Sequence, residues 1–185
     1  ELRGKENIEE KKSKIKVLGI EINTHIEKNE ITESNVIDLI NEQEKVTGAT
    51  KKLRELGNLK GKISQKVTTI TKEHKFFTDN TVCPTCTQSI EEEFRINKIN
   101  DAQTKAKELQ SGYKELEQAI KTEEDRELQF TNLSKEITKL THGISKNNTR
   151  ISGCQRQIRD LESEIQTLTS QLENRNTEHE KLEEF

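Results

Sequence analysis

The chain has 185 residues, 28% hydrophobic, 3% aromatic and 35% charged, with one Pro and no Met or Trp. Ordinary globular domains are roughly 45–50% apolar, so a sandwich, barrel or doubly wound core is excluded, while 44 Leu, Ile, Val and Phe residues are too many for a disordered chain. The 31 basic and 34 acidic residues leave a net charge of −3, which argues against a dedicated nucleic-acid surface, since that would need a basic excess.

What remains is long helix: Ala, Glu, Lys, Leu and Arg make up 79 of the residues, a composition close to that of coiled coils. The chain opens mid-pattern on Glu1-Leu2-Arg3 without Met, as expected of a piece of a longer protein. It shows no signal-peptide core and no apolar run of the roughly 18 residues a membrane span needs, so an intracellular, cytoplasmic location is expected, with no membrane partner.

Residues 1–79 form the first helical arm. Ile8, Ile15, Ile22 and Val36 share one heptad position and Leu18, Leu39, Val46 and Leu53 its partner. Beyond Leu56 the fit passes to Ile63, Ile70 and Phe77, so a phase change is expected over 53–63. Gly48, Gly57 and Gly61 each weaken helix there by about 1 kcal/mol relative to Ala. The arm nears its end with Lys72, His74 and Lys75, cations suited to the negative end of a helix dipole.

Residues 80–88 form the apex. The only proline, Pro84, sits in Cys83-Pro84-Thr85-Cys86, directly after the helix-breaking run Thr78-Asp79-Asn80-Thr81. Residues 89–185 form the second arm, for which Ser89 and Glu92 offer a capping box. Ala106, Leu109, Tyr113, Leu116 and Ile120 make a seam that loses phase over 120–130. A cleaner one follows: Phe130, Ile137, Ile144, Ile151, Ile158, Ile165 and Leu172 recur every seventh residue, with Leu133, Leu140, Leu161, Leu168 and Leu182 on the partner position. Asn147 and Cys154 interrupt that second series, the first as a register-fixing polar residue and the second as a small apolar filler. His25 and His179 read as tolerated polar interruptions.

Folding the chain about Pro84 pairs Leu53 with Leu116, Val36 with Leu133 and Ile8 with Leu161, apolar against apolar at each level. The rule pairs residue i with roughly 169 minus i, so residues after about 168 lack a partner within this chain. The expected fold is therefore all-α, a long antiparallel coiled-coil hairpin. Two parallel coiled coils in a dimer are the alternative.

The chemistry sits at the apex. Two of the three cysteines form a Cys-x-x-Cys pair, and a tight Cys-Pro-x-Cys turn can present both sulfurs to one zinc ion at about 2.3 Å. A closed structural site needs four ligands. Cys154 is on the order of 100 Å away along a helix, so the sources are His74 within the chain or a second copy of the same turn. A dithiol redox site and a metal-independent scaffold are the other readings. The first lacks the βαβ context usual for such sites, and the second leaves the meeting of Cys pair and proline unexplained.

A heptad arm, Cys83-Pro84-Thr85-Cys86 and a second heptad arm together resemble the zinc hook of the SMC-like DNA-repair ATPases, the SbcC and Rad-fifty family. The low-aromatic, Lys- and Asn-rich wording is most similar to a phage member, the large subunit of a recombination endonuclease. The resemblance implies that Cys83 and Cys86 bind a Zn2+ ion shared with a second chain, joining two coiled coils tip to tip as a homodimer. It also implies a nuclease subunit and DNA as partners of the parent protein. No Gly-x-x-x-x-Gly-Lys-[Ser/Thr] loop is present, so this segment is not expected to be an enzyme. ATP and Mg2+ chemistry would belong to flanking sequence.

One local charge feature stands apart. From Lys45 to Lys75 there are nine Lys or Arg and two Glu, whereas residues 94–124 hold six of each sign. The stretch reads either as a solvated face or as a weak, sequence-independent phosphate contact.

Overall fold

A computed structural model describes residues 2–183. Three α-helices account for nearly all of them: α1 (Leu2–Lys45), α2 (Ala49–Asp79) and α3 (Glu92–Glu183). Among the described residues the only β-type pairing is one isolated bridge, so the all-α expectation stands. Among the described residues no helix is long and apolar enough to cross a membrane. The chain divides into two compact units, one joining residues up to Glu42 with those from Leu133, the other running from Gln43 to Asn132.

In the first unit α1 pairs with the C-terminal part of α3. The heptad series of α3 faces the seam as expected, since Leu133, Ile137, Leu140, Ile144, Asn147, Ile151 and their successors through Leu172 are all at least half-buried. The side chains at the expected seam positions His179 and Leu182 lie outside the described residues. On α1 the seam runs through Ile8, Ile15, Leu18, Ile22, His25, Asn29, Val36 and Leu39. Its polar members form a specific layer: Asn147 Nδ2 donates to Asn29 Oδ1 at 2.9 Å, and Asn29 Nδ2 donates to Asn148 Oδ1 at 2.8 Å. A satisfied polar layer costs stability relative to an apolar one but fixes the stagger of the helices, because sliding either helix breaks both bonds. One turn away His25 is buried, with Nε2 3.8 Å from Glu21 Oε1 and Nδ1 without a partner. Cys154 fills the seam as expected. It is buried, and burial followed by the nearby Glu21 carboxylate pushes its thiol up.

The stagger differs from that expected by folding about Pro84. Asn29 lies opposite Asn147 and Asn148 rather than Leu140, Lys11 pairs with Glu164, and a Cβ at Gly4 would meet Leu172 Cδ2 at 3.0 Å. The displacement is about one heptad, and it provides a partner for Leu172 that the shorter register denied.

The second unit holds α2 against the N-terminal part of α3. The first arm is not one helix: it is interrupted at Val46–Gly48, before the expected phase change, while α2 runs unbroken through 53–63 and α3 through 120–130. The interruption is centred on Gly48, whose φ of 82° lies in the left-handed region that Gly enters without a Cβ penalty. The opened end is satisfied from the facing helix, since Arg126 Nη2 donates to the Thr47 carbonyl at 3.1 Å. Arg126 Nη1 also donates to Glu123 at 2.7 Å, and Lys52 Nζ reaches the other oxygen of that buried carboxylate at 2.8 Å. Thr50 Oγ1 donates to Glu127 nearby at 2.8 Å.

Two expected outcomes follow from this joint. Gly48→Ala should destabilise the chain by about 1–2 kcal/mol in denaturant unfolding, a purely backbone cost because nothing lies within 4 Å of the added Cβ. Glu123 is held below its ordinary pKa of 4.5, first by the Lys52 hydrogen bond and then by the Arg126 charge. A lowered carboxylate stabilises the fold above pH 4.5, and that contribution is lost as pH falls through the folded-state value. Glu123→Gln should therefore be less stable than the parent at pH 7, and urea titrations repeated at falling pH should show the gap closing only below about 4.5.

Candidate metal centre

The turn between α2 and α3 is an ordered miniature hairpin. α2 stops because Asn80 leaves helical space (φ −126°, ψ 124°), and both its backbone N–H and its Nδ2 donate to the Phe76 carbonyl, at 3.1 and 2.8 Å. The chain then runs out and back: Ile90 N–H donates to the Thr81 carbonyl at 2.9 Å, and Cys83 N–H to the Gln88 carbonyl at 2.8 Å. Val82 and Ser89 pair as an antiparallel bridge between them. Ser89 is thus part of this ladder and not the cap it resembled; α3 begins at Glu92, and the first helical bond runs from Arg95 N–H to the Glu91 carbonyl at 2.9 Å.

Pro84 follows Cys83 at the bend, where no backbone donor is needed. The return is made by Thr87, whose φ of 59° places it in the left-handed region and lets its N–H reach the Cys83 carbonyl at 2.8 Å. That conformation costs a β-branched residue on the order of 1–2 kcal/mol. The strain is held by the three backbone bonds of the turn, Thr87 to Cys83, Cys83 to Gln88 and Ile90 to Thr81.

Beneath the bend the two helices are tied by Phe77, which the heptad reading placed on the seam, and by Phe76, Phe94 and Arg95, which it did not single out. Phe77 meets Phe94 edge to face with ring centroids 5.8 Å apart, and Phe76 meets Phe77 at 5.1 Å. Arg95 forks between helices: Nε and Nη2 donate to the two Glu92 oxygens at 2.9 and 2.8 Å, while Nη1 donates to the Phe77 carbonyl at 2.9 Å. The last contact satisfies a carbonyl that the end of α2 leaves open. A signal was present in the sequence, since three of the five Phe residues lie on either side of Pro84 at positions 76, 77 and 94.

This scaffold brings Cys83 and Cys86 within 3.5 Å of each other, both as free thiols, the first half-buried and the second exposed. The thiol of Cys83 is held below its usual 9.0, first by the backbone N–H of Cys86, then by that of Thr85 and by the Cys86 thiol. The same N–H groups would stabilise a metal-bound thiolate. Cys86 Sγ lies 3.7 Å from Gln88 Oε1. His74, the alternative third ligand, is not brought to the pair: among the described residues no three His, Cys, Asp or Glu side chains gather as a metal site. The turn thus holds two neighbouring free cysteines, one half-buried and one exposed. No protein-family model matches this chain, and no curated protein matches it.

Proposed function

We propose that this chain is a coiled-coil tether whose tip dimerises through zinc, Cys83 and Cys86 of each of two copies sharing one ion. The observation that carries the reading is two free cysteines brought together on one turn, Cys83 and Cys86 coming within 3.5 Å, with no third metal-ligating side chain gathered beside them among the described residues. A four-ligand shell is completed most simply by an identical turn, because the pair lies at the turn between α2 and α3, Cys86 is exposed there, and each copy brings the same two donors. Zinc would supply the link, and the chain's own residues the aim. Phe77, Phe94 and Arg95 hold the turn on its stalk, and the Thr85 and Cys86 N–H groups neutralise part of the thiolate charge. In this reading the chain performs no catalysis, and its architecture is that of the hook of the SbcC and Rad-fifty ATPases, whose nuclease and DNA partners would reach it through flanking sequence.

The test is a zinc titration of the metal-free, reduced chain, followed by light scattering. The mass should double and stop rising at half an equivalent of zinc per chain, then return to that of the monomer on adding a chelator. Saturation at one equivalent with no change of mass would overturn the reading in favour of a site within one chain.

A further inference from the structure

We propose that the exposed face of α2 binds the phosphate backbone of double-helical nucleic acid without reading its sequence. The inference goes beyond the zinc reading and does not depend on it. Lys51, Arg54, Lys62, Lys66, Lys72 and Lys75 are all exposed, and none makes an ion pair or side-chain hydrogen bond among the described residues. The facing acids of α3 engage only two cations of α2: Lys52 bonds Glu123 at 2.8 Å and Lys60 reaches Glu117 at 3.7 Å. Of the carboxylates within 49–75, Glu73 is directed to Lys98 at 3.5 Å, which leaves Glu55 as the one exposed acid beside the cations. The surplus seen in the sequence is therefore not neutralised by folding.

The cations also form a track. Lys51, Arg54, Lys62 and Lys72 fall on one side of the helix at steps compatible with three- and four-residue spacing, flanked by Lys66 and Lys75. Asn58, Gln65 and Thr69 fill the intervening positions, and all are exposed. Amide and hydroxyl groups serve as uncharged phosphate donors. From Lys51 to Lys72 the helix rises about 32 Å, close to the roughly 34–36 Å of one duplex turn. No aromatic side chain lies on this track, so it has no platform for stacking unpaired bases. Long flexible cations with neither stacking nor a recessed pocket suit a continuous row of phosphates. A net charge of −3 means that the attraction is local to this face and opposed by the rest of the chain.

The experiment compares two variants of equal charge by fluorescence anisotropy with a labelled, random-sequence duplex several turns long. One carries Lys51→Gln, Arg54→Gln, Lys62→Gln, Lys66→Gln and Lys72→Gln; the other carries Lys16→Gln, Lys28→Gln, Lys135→Gln, Lys139→Gln and Lys146→Gln. Measuring in chelator keeps the outcome separate from zinc-linked dimerisation. About four phosphate contacts predict a loss of roughly a hundred-fold in affinity between 50 and 200 mM salt for the parent. The α2 variant should bind at least about ten-fold more weakly at low salt with a flatter salt dependence, and the control variant should change less than about two-fold. Circular dichroism of both should match the parent. Equal losses in the two variants, salt-independent binding, or tighter binding to single strands or to anionic-lipid vesicles than to duplex would overturn the proposal.

Discussion

Replacing Cys83 and Cys86 together by Ser is expected to abolish zinc binding and zinc-linked dimers completely while leaving helical circular dichroism nearly unchanged. The two halves of this result have separate causes. A hydroxyl is a poor zinc donor at neutral pH, so substituting both positions removes all four sulfurs of a shared site, and structural zinc sites contribute about 10–16 kcal/mol of apparent binding energy. The turn itself is held by other means: the Cys83–Gln88 and Ile90–Thr81 backbone bonds, the Phe77–Phe94 contact and the Arg95 fork. None of these involves a sulfur atom. Cys154→Ser supplies the contrast, because Cys154 is buried in the α1–α3 seam and its loss should lower stability without touching zinc or dimerisation. Dimers of the double Ser variant that form through the tip would refute the hook. Association that follows an oxidant in place of zinc would indicate a dithiol switch.

The second large effect concerns stagger. In a chain whose native cysteines are replaced by Ser, Cys introduced at position 29 should crosslink efficiently within one molecule to Cys at 147 or 148, and poorly to Cys at 140. The direct side-chain bonds from Asn29 to Asn147 and Asn148 place the first pairs in reach, whereas position 140 lies about two helical turns away, on the order of 11 Å. Preferential linkage to 140 would restore the register obtained by folding about Pro84. Linkage only between molecules would replace the antiparallel pairing with a dimer of parallel coils.

That contrast shows what heptad reasoning can and cannot read. A seven-residue repeat states which face of each helix is apolar, and α3 follows it from Phe130 to Leu172. It does not state the stagger, because sliding one arm by a full heptad brings apolar back against apolar. The choice between such registers falls to the non-repeating residues, here Asn29 with its two asparagine partners and the Lys11–Glu164 pair. The interruption at Gly48 was hidden for a similar reason. Gly57 and Gly61 have the same composition-level signature, yet both lie within an unbroken α2. What singles out Gly48 is the Arg126 side chain on the facing helix, which donates to the opened Thr47 carbonyl. At the turn, Pro84 and the Cys pair located the bend from sequence alone. Ser89 misled because its spacing to Glu92 matches a capping box, while the ladder to Val82 competes for the same backbone. The Phe77–Phe94 and Arg95–Phe77 contacts cross the turn, and the heptad series, which carries Phe77 alone of these residues, does not pair them.

The central claim is that two chains contribute two thiolates each to one zinc ion, and X-ray absorption spectroscopy of the zinc-loaded Cys154→Ser chain tests it most directly. With Cys154 removed, one chain holds only the two sulfurs of Cys83 and Cys86. The account predicts a first shell of four sulfurs at about 2.3 Å, a count that a single chain cannot supply. A shell of two sulfurs with nitrogen or oxygen neighbours at about 2.0–2.1 Å would contradict it, and would show zinc held by one copy of the turn with a ligand such as His74.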